Sequence, residues 1–283
     1  MEWYKKYMTV FEQPYESIPS NIKAEIRNKL TALAPKENPT ISIVAIAHNE
    51  ESHILACLWS LSENILYHSA ELIVVSNHST DQTNNILEEM GVCWYNEERK
   101  GPGFARQCGL DYAKGKYHIC IDTDTMYPPQ YIQTHIDYLS QDNIVCTYSL
   151  WSFIPEKPLD KLSLFVYETL RDFYLCLLNI NRPELCVRGM VMAFRTQEGK
   201  LIKYKTNIIR GEDGSMAFGL KSKGRLKLIL STKARAITCN STLKGHGSIF
   251  QNFLQRAIKG LKYVPSLFTS KREYKDKPSN LIQ

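Results

Sequence analysis

The segment that decides the fold is "YHICIDTDTMYPP", Tyr117 to Pro129. An apolar run ends abruptly in two aspartates, Asp122 and Asp124, and two prolines close the loop that follows. Two upstream runs have the same character. "ISIVAIA" (41–47) and "ELIVVS" (71–76) are continuous and β-branched, as expected of parallel strands covered on both faces. Between them lie segments with helical spacing. "NEESHILACLWSLSEN" repeats Ile54, Leu55, Leu58 and Leu61, and "STDQTNNILEEMG" opens on capping residues and closes on Gly91. "GPGFARQCGLDYAKG" is entered and left through glycines. This alternation predicts an α/β fold, one mixed, mostly parallel sheet flanked by helices. Ligands of such sheets bind beyond the carboxyl ends of the strands. Each run here ends in polar residues: "HNEE", "NHSTD" and "DTD".

The rest of the chain bounds the reading. Its 283 residues are 43% hydrophobic and 23% charged, an ordinary globular composition. The net charge of +6, from 35 basic and 29 acidic residues, suits an anionic small molecule or an acidic membrane surface. The basic residues form no dense stripe before the C-terminus, which argues against nucleic acid. No run is long and apolar enough for a membrane span, and Met1–Tyr15 lacks the apolar core of a signal peptide. The eight cysteines include no CxxC pair and read as reduced thiols of a cytoplasmic protein. Residues 1–39 form an N-terminal helical extension, in which "SNIKAEIRNKLTALAP" is a helix capped by Ser20 or Asn21 and stopped by Pro35. "KLSLFVYETLRDFYLCLLNI" (161–180) reads as one long helix packed into the core.

Residues i and i+2 of an extended chain point to the same side, so Asp122 and Asp124 aim at one region. Such a pair either caps loop amides or holds a divalent cation. Oxygen-only ligation by few carboxylates suits Mg²⁺ or Mn²⁺ shared with substrate phosphates, rather than zinc. "IDTDT" also matches the strand and D-x-D-x-T of haloacid-dehalogenase-like phosphatases, whose first aspartate is a nucleophile. That motif normally ends the first strand of its sheet, whereas at least two strands precede it here.

A broader resemblance covers residues 40–225. "ISIVAIAHNEES" resembles the first strand and "PAYNEE" loop of the family 2 glycosyltransferases, and "ELIVVSNHSTDQT" is similar to their "EIIVVDDGSTDGT". "KGPGFARQCGLDYAKGKY" resembles their "G…ARNxGLxxAxGxY" segment, and "ICIDTDTMYPP" their DxD strand. "VRGMVMAFRTQ" (187–197) resembles "GGNMAFRR", and "IRGEDGSMAFGLKSKG" (209–224) their "ED" helix. Each motif is weak alone, but together they occur in order at workable spacings. Three positions depart: Ile46 for proline, His48 for tyrosine, and Ser76-Asn77 for an aspartate pair.

The resemblance implies a GT-A fold with a catalytic domain over 40–245, divided into a nucleotide-binding half (40–126) and an acceptor half (127–245). It implies an inverting transfer of sugar from a nucleoside-diphosphate donor, UDP-linked by preference, to a saccharide or lipid-linked acceptor in surface polysaccharide or glycolipid assembly. Asp122, Asp124 and His246 would hold Mn²⁺ or Mg²⁺, with Asp122 also orienting ribose and Lys244 near the diphosphate. Ala47, His48, Glu50, Asn77 and Arg106 would line the nucleotide site. Asp213 would be the general base, with Glu212 beside it. Residues 246–283 would form a basic amphipathic helix and tail, with Phe250, Phe253, Leu254, Ala257, Ile258 and Leu261 on one face. Such a helix packs on its own domain or, with a lipid-linked acceptor, docks residues 250–277 on the inner face of the membrane. The other readings are a D-x-D-x-T phosphatase and a non-catalytic nucleotide-binding scaffold.

Overall fold

The computed structural model describes residues 2–155, 158–239, 276 and 278–281. His246, Lys244 and the amphipathic segment starting at Phe250 lie outside the described residues. In chain order the elements begin with α1 (Ser20–Leu30), β1 (Ile41–Ala47), α2 (Ile54–Ser62) and β2 (Ala70–Asn77). They continue with α3 (Thr83–Met90), β3 (Cys93–Glu97), α4 (Pro102–Tyr112), β4 (Tyr117–Asp122) and β5 (Thr125–Met126). Next come α5 (Tyr131–Leu139), β6 (Ile144–Ser149), β7 (Trp151–Phe153), α6 (Pro158–Asn181) and β8 (Met192–Arg195). The described part closes with α7 (Thr196–Ile202), α8 (Glu212–Leu220), β9 (Arg225–Ile229) and β10 (Ala236–Thr238).

Seven strands form the main sheet in the order β3-β2-β1-β4-β8-β6-β9. All neighbours pair in parallel except β8, which runs antiparallel to β4 and β6. The anticipated mixed, mostly parallel sheet is therefore present. β1 and β2 are buried nearly throughout, which is why they read as unbroken apolar runs instead of alternating ones. β3 escaped the sequence reading because it is a half-buried edge strand, "CWYNE", without such a run. A three-stranded sheet, β5-β10-β7, adds to the single sheet that was expected. Its strands have two or three residues each, too short to leave a period in the sequence.

Local chemistry explains several boundaries. α3 ends at Gly91, whose φ of 67° admits the left-handed turn. There Gly91 N–H bonds Glu88 O (3.0 Å) and Val92 N–H bonds Leu87 O (3.2 Å), which satisfies the last carbonyls. α1 begins at Ser20, but its cap position is Pro19 and no side chain caps it. It yields to a 3-10 turn at Thr31–Leu33, short of Pro35. Tyr7, Phe11, Ile26 and Leu30 of the N-terminal extension join the same hydrophobic core as the main sheet. α6 is the single long helix expected, but core packing accounts for only one of its faces. Leu164, Leu175 and Leu178 are buried, while Leu162, Phe165 and Phe173 are exposed.

Candidate active site

The central strands β1, β2 and β4 pair in register, with Ala47 beside Ser76 and Ile46 beside Asp122. Their carboxyl ends therefore open onto one place. A cleft of about 390 Å³ lies there, lined by Ala47, His48, Glu50, Asn77, Asp122 and Asp124, together with Lys100–Pro102 and Ala105. Of the nucleotide-site residues expected from sequence, only Arg106 is absent from its walls, because it lies beneath them.

Asp122 and Asp124 flank a turn pinned by the Thr123 hydroxyl, which donates to Ile46 O (3.0 Å). Both line the cleft, but with different partners. Asp122 Oδ1 accepts from Arg106 Nη2 at 2.6 Å. Its backbone N–H donates to the Tyr127 hydroxyl at 3.1 Å. Asp124 Oδ1 accepts from the Thr125 hydroxyl (2.9 Å) and Oδ2 from Cys239 Sγ (3.3 Å). Burial raises both carboxyls above the ordinary aspartate range. Arg106 opposes the shift at Asp122, while the neighbouring Asp122 charge adds to it at Asp124. Arg106 balances Asp122, whereas Asp124 is met by a hydroxyl and a thiol, so a cation beside Asp124 would offset the cost of burying its charge. No cluster of three or more His, Cys, Asp or Glu ligands occurs among the described residues. That donor set fits Mg²⁺ or Mn²⁺, which take one or two carboxylates and complete their shells with phosphate oxygens and water.

Arg106 is the pivot of the site. It enters from α4 and is 3% exposed. One side of its guanidinium holds Asp122; on the other, Nε lies 2.9 Å from Asp213 Oδ1. The Nε–H is not aimed along that line, so this contact is an ion pair without an aligned hydrogen bond. Asp213 Oδ2 accepts instead from Gly189 N–H at 2.7 Å. Gly189 is required by space: a Cβ there would stand 1.9 Å from Arg106 Nη2 and 2.6 Å from Asp213 Oδ2. The sequence places Gly189 only within "VRGMVMAFRTQ", and nothing in that resemblance shows this approach.

Glu212 opens α8 beside Asp213 and is buried. Burial, reinforced by the Asp213 charge, raises its carboxyl to about 7, against the pull of Arg106. Because the folded value lies above the unfolded one, the folded protein holds the proton more tightly and loses stability as pH rises from about 4.5 to 7. Metal-free Glu212→Gln is therefore expected to be more stable than the wild type at pH 8. The advantage should vanish towards pH 5, as urea unfolding at the two pH values will show. Equal differences at both would contradict the assignment.

The departures from the family pattern have local explanations. Asn77 Nδ2 donates to Glu97 O (3.1 Å) and Arg99 O (2.7 Å), while its Oδ1 accepts from Gly101 N–H (3.0 Å). An aspartate has no donor for those two carbonyls, so asparagine here holds the 97–101 segment, of which Lys100 and Gly101 line the cleft. His48 Nδ1 donates to Asn77 O (2.6 Å), which fixes the orientation of the ring. Glu50 is raised by burial and eased by a 2.7 Å contact with His53 Nδ1. Burial alone would lower His53, but the carboxylates of Glu50, Asp124 and Glu12 together outweigh it and the net shift is upward. Phe11 packs against the His53 ring at 4.8 Å, so the N-terminal extension braces the cleft through a histidine that sequence reasoning missed. Its signal was the i, i+3 spacing from Glu50.

Across Arg106 lies a second cavity of about 1000 Å³, lined by Glu184, Val187, Arg188, Arg210, Glu212 and Asp213 among others. The two cavities share Pro102, and the Asp122–Arg106–Asp213 chain runs between them. Asp122 follows β1, β2 and β3 and ends the fourth strand in the chain, bound to an arginine, which removes the support for a D-x-D-x-T phosphatase.

Comparison with known proteins agrees with this architecture. The Escherichia coli UDP-Glc:alpha-D-GlcNAc-diphosphoundecaprenol beta-1,3-glucosyltransferase WfaP is 32% identical over 114 residues, 38% of this chain and 45% of that one. The putative glycosyltransferase EpsH of Bacillus subtilis is 28% identical over 120 residues, 40% of this chain and 35% of that one. The matches thus span less than half the length of these relatives. Among solved structures, the mannosyltransferase PcManGT of Pyrobaculum calidifontis, bound to GDP-Man and Mn²⁺, superposes with a TM-score of 0.59 at 16% identity. That superposition covers 95% of this chain and 77% of that one. Staphylococcus aureus TarS 1–349 in complex with UDP gives 0.57 at 18% identity, covering 82% and 76%. At these identities the likeness shows the fold alone, that of the GT-A glycosyltransferases. The profile of Glycosyl transferase family 2 matches residues 42–197, more than half of the sequence, and the chain belongs to that family.

Proposed function

We propose that the protein transfers a sugar from a nucleoside-diphosphate donor, UDP-linked by preference, to an acceptor hydroxyl with inversion at the anomeric carbon. The observation that carries this reading is the Asp122–Arg106–Asp213 chain between two cavities. The carboxylate pair faces the first cavity and Asp213 the second, so donor and acceptor would meet across Arg106. Asp124 and Asp122 would hold Mn²⁺ or Mg²⁺, which when bound supplies positive charge against the leaving diphosphate.

The chain's own residues do the rest. The cleft walls at Ala47, His48 and the Asn77-braced loop would receive the nucleoside. Asp213 would take the proton from the acceptor hydroxyl as that oxygen attacks the anomeric carbon, so one displacement inverts its configuration. Gly189 N–H and Arg106 fix the direction of the Asp213 carboxylate before any substrate arrives. Glu212, its carboxyl raised by burial, would contact the acceptor or the backbone around it. The names of WfaP and of the putative teichuronic acid biosynthesis glycosyltransferase TuaG of Bacillus subtilis support a setting in surface polysaccharide or glycolipid assembly. Among the described residues no helix is long and apolar enough to cross a membrane. We assign the reaction to the cytoplasmic side, where a lipid-linked acceptor would be met at the membrane face.

The reaction is tested by incubating the protein with Mn²⁺ and UDP-, GDP- or dTDP-linked sugars and following release of the nucleoside diphosphate. Water serves as a slow acceptor. One nucleotide class should be hydrolysed, and p-nitrophenyl phosphate should not. Cleavage of the phosphate monoester with all sugar nucleotides intact would overturn the reading.

A further inference from the structure

α6 carries an apolar stripe on its outer side. Leu162, Phe165, Val166, Leu170, Phe173, Leu177 and Ile180 are each between 42% and 73% exposed. They recur at spacings of three and four residues, so they share one face of a helix about 36 Å long. Their combined apolar surface is on the order of 700 Å², above the roughly 300–600 Å² of the largest patch on a typical monomer. It approaches the roughly 800 Å² that each partner contributes to a standard interface. We propose that this stripe is a homodimer interface, in which α6 pairs antiparallel with α6 of a second copy of the chain.

Two observations select a second copy over other occupants. First, the stripe is nearly symmetric about Arg171. Leu162 and Ile180 lie nine residues either side of it, Phe165 and Leu177 six either side, and Leu170 and Phe173 flank it. A two-fold axis at that point brings Leu162 against the partner's Ile180 and Leu170 against the partner's Phe173. That is the self-complementarity an isologous interface demands. Second, the outer face is uncharged. Between Leu162 and Ile180 the charged residues are Glu168, Arg171 and Asp172, and all are bonded on the inner side. Glu168 accepts from the Ser152 hydroxyl (2.8 Å) and Phe153 N–H (2.7 Å). Arg171 stacks on Trp151 at 4.3 Å and pairs with Asp172, which also pairs with Arg235. A helix that lies on an anionic bilayer flanks its apolar face with several lysines and arginines; α6 has an exposed lysine at Lys161, before the stripe, and none facing out between Leu162 and Ile180. Glu184, Leu185, Val187 and Arg188, just beyond the end of α6, line the second cavity, so the partner's helix would lie beside the acceptor side.

The test is sedimentation equilibrium of the full chain from low to high micromolar concentration, with Leu170→Lys, Phe173→Glu and their equimolar mixture. Both positions are exposed, so each variant should keep the wild-type circular dichroism and a cooperative unfolding transition, its melting temperature falling only by what dimerisation adds. The wild type should be dimeric, and each variant alone should dissociate at least about tenfold more readily. Mixing them should restore the dimer, because the antiparallel register sets the ammonium introduced at position 170 of one copy against the carboxylate introduced at position 173 of the other. A wild type monomeric throughout, or variants that dimerise unchanged, would overturn the interface. Failure of the mixture to rescue would overturn the antiparallel pairing. Monomer that co-sediments with anionic vesicles, and loses this in either variant, would reassign the face to lipid. The pairing does not depend on the sugar-transfer reading, since neither residue lines the donor cleft.

Discussion

Arg106→Ala is expected to cost about 3–5 kcal/mol of stability, the range for removing one partner from a buried ion pair. Arg106 is enclosed by Asp122 and Asp213, and its loss leaves both carboxylates facing each other without a cation. Burial already holds Asp122 above the usual aspartate range even with Arg106 present. The variant should therefore regain part of its lost stability as pH falls, because protonation removes the uncompensated charge. Urea unfolding at pH 5 and pH 7.5 measures both effects. Arg106→Lys keeps one charge but not the fork that reaches two carboxylates, so it should recover only part of the stability. A loss under about 1 kcal/mol, typical of surface ion pairs, would show that the pivot is not buried as described.

Asp213→Asn should separate chemistry from binding. Its Oδ1 can still accept from Gly189 N–H, so the local backbone stays in place. The amide cannot take a proton from the acceptor hydroxyl. Turnover should fall about 10²- to 10⁴-fold, the usual contribution of a general base, while affinity for the nucleotide remains within a few-fold. Stopped assays of nucleotide release at saturating donor report the first quantity and calorimetric titration the second. Unchanged turnover would remove Asp213 from the base role. Loss of binding together with turnover would show that it holds the donor instead.

How much of this was legible in the sequence depends on which physical signal each part leaves. The buried parallel strands β1, β2 and β4 were readable because burial on both faces forces unbroken apolar runs. The polar residues at their carboxyl ends were readable because the sheet topology fixes where ligands enter. Contacts far apart in sequence left no such trace. Nothing in "RGM" announces that Gly189 must clear Arg106 and Asp213, and nothing in "KARAITCN" announces that Cys239 will donate to Asp124. Arg106 could be placed on a helix from its own segment, but not between two aspartates from distant parts of the chain. Asn77 looked like an erosion of the nucleotide site. Its three hydrogen bonds to the 97–101 loop give it a structural reason that only the fold reveals. The exposed stripe of α6 was read as core because periodicity shows which residues share a face, not whether anything covers it.

The most direct measurement is the melting temperature of the protein with UDP, GDP, CDP and dTDP, each with and without Mn²⁺, repeated on Asp124→Ala. A ligand at 100 times its dissociation constant stabilises the folded state by about 2.7 kcal/mol, a shift of a few degrees for a chain of this size. A shift is expected with one nucleotide class, UDP first, that requires Mn²⁺ and disappears in Asp124→Ala. A shift that is the same without Mn²⁺, or that survives in Asp124→Ala, would contradict the claim that the carboxylate pair and a divalent cation hold the donor diphosphate.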